Sequence, residues 1–314
     1  MLMKSKLKPP VLHHLLTMQA LDKEKILYFL ARADEFLKTA IAKNSVLDTL
    51  TGKVVVNLFF ESSTRTRNSF AIAAKRLNAL LLSPNMKQSA TIKGELLIDT
   101  IRNFEAMGVS LLVIRHPDNH LAQFLSVELQ TEIAVVNAGD GSNEHPTQAL
   151  IDLMTIRQHC ADFSAITVAI VGDVLHSRVA HSLVTGLKIM GVKNIRLVAP
   201  DYFSPEHSDM IDVDIFHDMD AGIENVDVIY MLRIQKERMD VAQYPKEAHY
   251  FKQFGLTHDR LLLAKRNAIV MHAGPINRGI EIESSVADGP QSVILQQTKN
   301  SVAIRMAVIE ALVK

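Results

Sequence analysis

Ser63-Thr64-Arg65-Thr66-Arg67 alternates short hydroxyls with guanidinium groups over five residues, and both side-chain types donate hydrogen bonds to oxyanions. The motif follows Val54-Val55-Val56-Asn57-Leu58, an apolar β-branched run that reads as a buried strand. It precedes Phe70, Ala74 and Leu77, spaced as one face of a helix. It therefore lies where a strand hands over to a helix, and there the first backbone N–H groups lack intrahelical partners while the helix dipole adds positive potential. One hydroxyl could serve only as a helix cap, with the arginines solvated. Two alternating Thr-Arg pairs exceed what a cap requires, so the stretch reads as a phosphate site without a nucleotide-binding loop.

Further polar groups fall at strand ends. Val109 to Ile114 reads as a strand that finishes in Arg115-His116-Pro117, and in open α/β sheets ligands gather beyond the carboxyl ends of strands. Ile133 to Val136 leads into Asn137-Ala138-Gly139-Asp140-Gly141-Ser142-Asn143-Glu144-His145-Pro146-Thr147-Gln148. The glycines allow a sharp turn, and Pro146 suits the first turn of a helix running through Leu150, Leu153 and Ile156. His145 and Gln148, three apart, share a face at that helix start. A lone histidine is more often structural or solvated; a His and a Gln at a third strand end point to a ligand without fixing a role. Between Ser83 and Gly94 runs a polar segment with Ser89 and two lysines, Lys87 and Lys93, which reads either as surface loop or as functional loop.

In the second half, Ile166 to Val171 is a strand followed by Gly172-Asp173 and a helix containing Arg178, Val179 and His181. Dinucleotide binding would require three spaced glycines at this turn, and only Gly172 is present. A strand at Val226 to Tyr230 ends in Met231-Leu232-Arg233-Ile234-Gln235-Lys236-Glu237-Arg238, which as a bare charge run reads as a solvated face. The long polar segment from residue 236 to about 256 is of a kind that closes over substrates. Another strand, Ala268 to Met271, leads into His272-Ala273-Gly274-Pro275-Ile276-Asn277-Arg278-Gly279.

The elements needed to position these groups are strands alternating with helices. Leu12, Leu15 and Leu16, then Ile26, Leu27, Leu30, Ala33 and Leu37, give helical signals over residues 11 to 42. Ala79 to Leu82 reads as a short strand, Glu95 to Met107 as a helix with Leu96, Leu97, Ile101 and Phe104 on its apolar side, Ile195 to Val198 as a strand, and 295 to 313 as a final helix. The alternation predicts an α/β protein of two domains, each a parallel β-sheet flanked by helices. At 314 residues and 48% hydrophobic content, two full cores are expected. Lys plus Arg and Asp plus Glu both number 34, so no global field recruits nucleic acid or an anionic membrane. The single cysteine, Cys160, excludes an internal disulfide and a multi-cysteine zinc site, and reads as structural. Pro9-Pro10 and His13-His14 interrupt any apolar core behind the basic start, and no stretch is long enough to span a bilayer, so a cytoplasmic protein is expected.

Ser63-Thr64-Arg65-Thr66-Arg67, Arg115-His116-Pro117 and His145-Pro146-Thr147-Gln148, in this order and spacing, resemble the transcarbamoylase family, in the pattern of its aspartate-using catalytic chains. The resemblance covers nearly the whole chain and implies a carbamoyl-phosphate-binding domain over 1–145, an aspartate-binding domain over 146–294, and a C-terminal helix, 295–314, that packs back on the first domain. It implies transfer of the carbamoyl group of carbamoyl phosphate to L-aspartate, with no metal and no organic cofactor.

Residue by residue, the resemblance gives Ser63, Thr64, Arg65 and Thr66 the phosphate, with Arg115 bridging phosphate and carbonyl. Thr66, Arg115 and His145 would polarise the carbonyl oxygen, and Gln148 would orient the carbamoyl amide. Arg178, Arg233 and Gln235 would hold the aspartate carboxylates, with Lys93 a further candidate and Gly274 and Pro275 contributing largely backbone contacts. Ser89 and Lys93 would reach into a neighbouring subunit's site, which makes a homotrimer with shared sites the expected unit. Glu61, Arg178 and Arg238 match positions of interdomain ion pairs. Association with a zinc-bearing regulatory chain or with dihydroorotase is left open. One departure stands out: relatives commonly carry proline where this chain has Ala273, so the turn is less restricted. Two other readings remain, ornithine as the acceptor and a noncatalytic anion-binding scaffold of the same fold. The family's ornithine enzymes typically show His-Cys-Leu-Pro and acidic recognition, whereas this chain has His272-Ala273-Gly274-Pro275 and Arg233-Ile234-Gln235.

Overall fold

The computed structural model describes residues 8–86, 94–129, 132–205 and 212–313. The chain divides into two compact units, one formed by residues up to Ile151 together with those from Lys299, the other by Asp152–Thr298. Each is a parallel sheet flanked by helices.

The first unit contains α1 (Lys23–Phe36), β1 (Val54–Phe59), α2 (Thr64–Arg76), β2 (Leu80–Leu82), α3 (Leu97–Ala106), β3 (Leu111–His116), α4 (Leu121–Glu128) and β4 (Ala134–Asp140). Its sheet order is β2-β1-β3-β4. Apolar residues from both sheet and helices fill one face, among them Val56, Leu58, Leu112, Ile114, Ile101 and Leu125. Leu96 is an exception to the expected helix face: it precedes α3 and is exposed.

The expected helix around Leu12 to Leu16 does not form. Leu15 instead pairs in parallel with Val136: its N–H donates to the Val135 carbonyl at 2.9 Å, and its carbonyl accepts from Asn137 N at 2.9 Å. Short apolar runs fit either element, and here unpaired backbone groups on the outer side of β4 decide the matter.

α5 (Pro146–His159) follows β4. The second unit then adds β5 (Thr167–Val171), α6 (Arg178–Met190), β6 (Asn194–Val198), β7 (Asp214–Phe216), α7 (Met219–Ile223), β8 (Val228–Met231), α8 (Glu247–Phe254), α9 (His258–Leu261), β9 (Ile269–His272) and α10 (Ser284–Ala287). Its sheet order is β7-β6-β5-β8-β9, all parallel.

The last helix, α11 (Ile294–Val313), contacts helices of the first unit through charge. Glu310 accepts from Arg32 of α1 at 2.6 and 2.9 Å. Arg305, buried, lies 4.8 Å from the ring centroid of Phe70 on α2 and donates to the Ser69 hydroxyl. An aromatic face and a hydroxyl together compensate part of the desolvation of that guanidinium. No described helix is long and apolar enough to cross a membrane.

Candidate active site

In the first unit the three motifs converge because their strands are neighbours. Phe59 of β1 is paired with Arg115 of β3, and Phe60 N donates to the Arg115 carbonyl at 2.9 Å. His116 is paired with Asp140 of β4, and Gly141 N donates to the His116 carbonyl at 3.0 Å. The β3/β4 ladder shifts register between Ile114 and His116, a local irregularity of the kind that re-aims a side chain. Thus the 63–67 turn, Arg115 and the turn before His145 all leave the same edge of the sheet.

Ser63 is the residue before α2, extended at φ −158°, and its side chain makes no capping hydrogen bond. The helix-cap reading therefore fails for that hydroxyl. Thr64 and Arg65 are exposed at the helix start, whereas Thr66 is buried. Ser69 braces this first turn from below, its hydroxyl 2.6 Å from the Arg65 carbonyl and 3.0 Å from that of Thr66, with Arg305 donating to it. Arg67 differs from the anion reading of the whole motif. Its Nε donates to Ser83 Oγ and its Nη2 to the Ser83 carbonyl, both at 2.9 Å, so it fastens α2 to the segment after β2.

Arg115 pairs with Glu61, Nε to Oε2 at 3.1 Å, and its Nη1 lies 3.4 Å from the Ala138 carbonyl. His145, 3% exposed, precedes α5, and its carbonyl accepts from Gln148 N at 2.9 Å. The turn that delivers His145 is organised by Asp140, whose importance sequence reasoning missed. Its buried carboxylate accepts from Asn137 Nδ2 at 2.9 Å, His120 N at 2.8 Å, Asn143 Nδ2 at 3.0 Å and Glu144 N at 3.0 Å. A short acid between two glycines was the available signal.

The second unit repeats the plan. Val171 of β5 pairs with Met231 of β8, which pairs with His272 of β9, so Gly172-Asp173, Arg233-Ile234-Gln235 and Ala273-Gly274-Pro275 share one sheet edge. Arg178, buried, begins α6 after the capping residue Ser177. Arg233 is gripped by Glu237, with Nη1 2.9 Å from Oε2 and Nη2 on Oε1, and its Nη2 also donates to Gln235 Oε1 at 3.1 Å. That carboxylate bond raises the Arg233 pKa above its ordinary value, against the opposing effect of burial. Asp173, also missed, is fully buried and accepts from Gln235 N at 2.9 Å and His176 Nδ1 at 2.8 Å, which ties the β8 loop to the β5 loop. Gly172 allows this approach: at φ +124°, a Cβ there would sit 2.8 Å from the Leu232 carbonyl.

Gly274, at φ +70°, and Pro275 form a turn after β9, joined by a cis peptide. Arg238 Nη1 donates to the His176 carbonyl at 2.6 Å, within its own unit. Ser89 and Lys93 lie outside the described residues. Among the described residues, no group of three or more His, Cys, Asp or Glu is gathered to hold a metal ion.

Two parallel-sheet units, each with polar loops at the carboxyl edge of its sheet, define a two-domain α/β protein. Residues 13–158 match the carbamoyl-P binding domain of aspartate/ornithine carbamoyltransferase, and residues 164–312 match the Asp/Orn binding domain. The chain belongs to the aspartate/ornithine carbamoyltransferase family, and it is a transferase of one-carbon groups. It is similar to aspartate transcarbamoylase from Trypanosoma cruzi in complex with N-(phosphonacetyl)-L-aspartic acid, at 29% identity and a TM-score of 0.85 over 99% of this chain and 98% of that one. The same enzyme in complex with carbamoyl phosphate matches at 28% identity and a TM-score of 0.86, again over 99% and 98%. Ornithine carbamoyltransferase from Thermus thermophilus shares the fold, with 23% identity and a TM-score of 0.84 over 97% of this chain and 100% of that one.

Proposed function

We propose that this carbamoyltransferase uses L-aspartate, converting it with carbamoyl phosphate to N-carbamoyl-L-aspartate and phosphate in pyrimidine biosynthesis. The observation that carries the choice of acceptor is Arg233 with Gln235 at the end of β8, on the same sheet edge as the Gly274 turn. Guanidinium and amide donors suit an acceptor with two carboxylates and disfavour a cationic side chain. The 29% identity to an enzyme solved with an aspartate-derived ligand supports the same choice.

In this reading the first unit binds carbamoyl phosphate. Ser63, Thr64, Arg65 and Thr66 hold the phosphate at the start of α2, where backbone N–H groups add to the side chains. Arg115 spans phosphate and carbonyl. The amine nitrogen of aspartate attacks the carbonyl carbon, negative charge grows on its oxygen, and the bond to the phosphate oxygen breaks. Thr66, Arg115 and His145 donate to that oxygen, and their partial or full burial makes each donor more effective than in water. Gln148 orients the carbamoyl amide. His145 thus acts as a donor, and the departing phosphate is the base that takes the amine's proton. Arg178, Arg233 and Gln235 hold the acceptor from the second unit.

Ser89 and Lys93 complete the site of an adjacent chain in a homotrimer. Mixing Lys93→Ala with Arg65→Ala chains then restores activity in hybrid interfaces; no recovery after verified subunit exchange refutes the shared site. The acceptor itself is tested by a colorimetric carbamoyl-product assay run with aspartate and ornithine in parallel. Product from ornithine alone overturns the assignment.

A further inference from the structure

His272 and Glu281 form a buried pair beneath the turn that carries Gly274 and Pro275. Glu281 is 0% exposed and His272 is 3% exposed. Glu281 Oε1 accepts from Asn277 N at 2.5 Å and lies 3.2 Å from His272 Nε2. The other ring nitrogen, His272 Nδ1, accepts from Gly274 N at 2.6 Å. Only one neutral tautomer satisfies both contacts: the proton sits on Nε2 and is given to Glu281, leaving Nδ1 free to accept. A single carboxylate oxygen therefore fixes the imidazole and, through it, the Gly274 amide, and also holds the Asn277 amide directly.

The base of the loop is secured separately. His272 N donates to Gln297 Oε1 at 2.9 Å, and Gln297 Nε2 donates to Asp152 Oδ1 at 2.8 Å. Glu281 Oε2 is buried and, among the described residues, has no hydrogen-bond partner. Ala273, between His272 and Gly274, places no proline restraint on the start of the turn.

We infer that Glu281 is a positioning residue for the acceptor site, acting through His272 to fix the Gly274–Pro275 turn. The inference rests on the reading of that turn as part of the aspartate site. Its loss loosens the acceptor half of the site and leaves the carbamoyl phosphate half intact.

The test compares Glu281→Ala, Glu281→Gln and the double variant Glu281→Ala/Ala273→Pro with the unaltered protein. Glu281→Ala is expected to raise the aspartate KM by about tenfold or more while carbamoyl phosphate affinity stays within about twofold. Glu281→Gln keeps a side-chain oxygen and most of the activity, and the added proline recovers part of what alanine lost. Hydrogen exchange of the peptide spanning residues 272–281 should lose protection in Glu281→Ala, whichever acceptor is used. Unchanged aspartate KM, or an equal rise for both substrates, overturns the inference while leaving the acceptor assignment intact. Unaltered protein that makes no product from aspartate instead refutes the assignment, and unchanged exchange refutes the clamp independently. Should Glu281→Ala not fold, His272→Asn reads the same link, since asparagine retains an acceptor near Gly274 N and loses the bond to Glu281.

Discussion

Glu61 holds Arg115 across the paired ends of β1 and β3, with Nε 3.1 Å from Oε2. Both side chains are largely withdrawn from solvent, at 15% and 21% exposure, so this pair is screened less than a surface bridge. In the proposed reaction Glu61 orients the guanidinium that spans phosphate and carbonyl. Glu61→Gln should lower kcat by roughly tenfold, and Arg115→Lys by roughly a hundredfold because lysine lacks the planar fork. Steady-state kinetics at saturating substrates, with thermal unfolding as a control for folding, measures both.

His145 as a donor makes a prediction that a general base does not. His145→Ala should cost about a hundredfold in kcat with little change in aspartate KM. His145→Gln should recover part of it. The pH profile of kcat should keep its shape in both variants, and disappearance of an ionisation would show that His145 carries the proton instead.

Arg233→Ala should raise the aspartate KM by about a hundredfold, since one charge-assisted carboxylate contact is lost. Carbamoyl phosphate binding, followed by titration calorimetry, should not change, because Arg233 belongs to the other unit.

Much of this arrangement was legible in the residues. β1, β3 and β5 are near-continuous apolar runs, as strands buried on both faces must be. Polar residues could then be placed at strand ends: Arg115 in the last residues of β3, His145 after β4 and Arg233 after β8. β4 runs on to Asp140, past the apolar run, because Asn137 and Asp140 satisfy one another at 2.9 Å inside the core. Pairing of that kind leaves no hydrophobic signature. Arg67 had the same signature as Arg65, and only the nearness of Ser83 separates a structural arginine from an exposed one. Asp140, Asp173 and Glu281 looked like ordinary acids for the same reason: each has backbone amides among its partners, which every sequence has. The short edge strand Asp214–Phe216 offered three residues, too few for periodicity.

His14 provides a pH-dependent contribution to stability. Burial, helped by neighbouring His13, lowers its pKa from 6.5 to about 4, and Val135 N donates to its Nδ1 at 3.1 Å, which requires the neutral ring. Between these values the unfolded chain binds more protons than the folded one, so stability falls as pH drops from about 6.5 toward 4. Partial exposure screens the effect to the order of 1 kcal/mol. Urea midpoints at both ends of that window should differ less in His14→Asn, which keeps an acceptor and does not titrate.

Gly172→Ala should destabilise the second unit. The residue is held at φ +124° and the new Cβ would meet the Leu232 carbonyl at 2.8 Å. Strain of this kind costs of order 1–3 kcal/mol, visible as a lower unfolding temperature.

Leu15 bonded to β4 has a practical consequence. All seven residues of β4 are buried, and their outer backbone N–H and C=O groups would otherwise form a bare hydrogen-bonding ledge. Such a ledge invites foreign strands to add to it. The short stretch from His14 to Leu16 thus works as a sealing strip for the sheet that carries the 63–67 turn, Arg115 and the turn before His145. Trimming the chain past residue 16 would remove no reactive group, yet it would turn a self-contained sheet into a seed for aggregation.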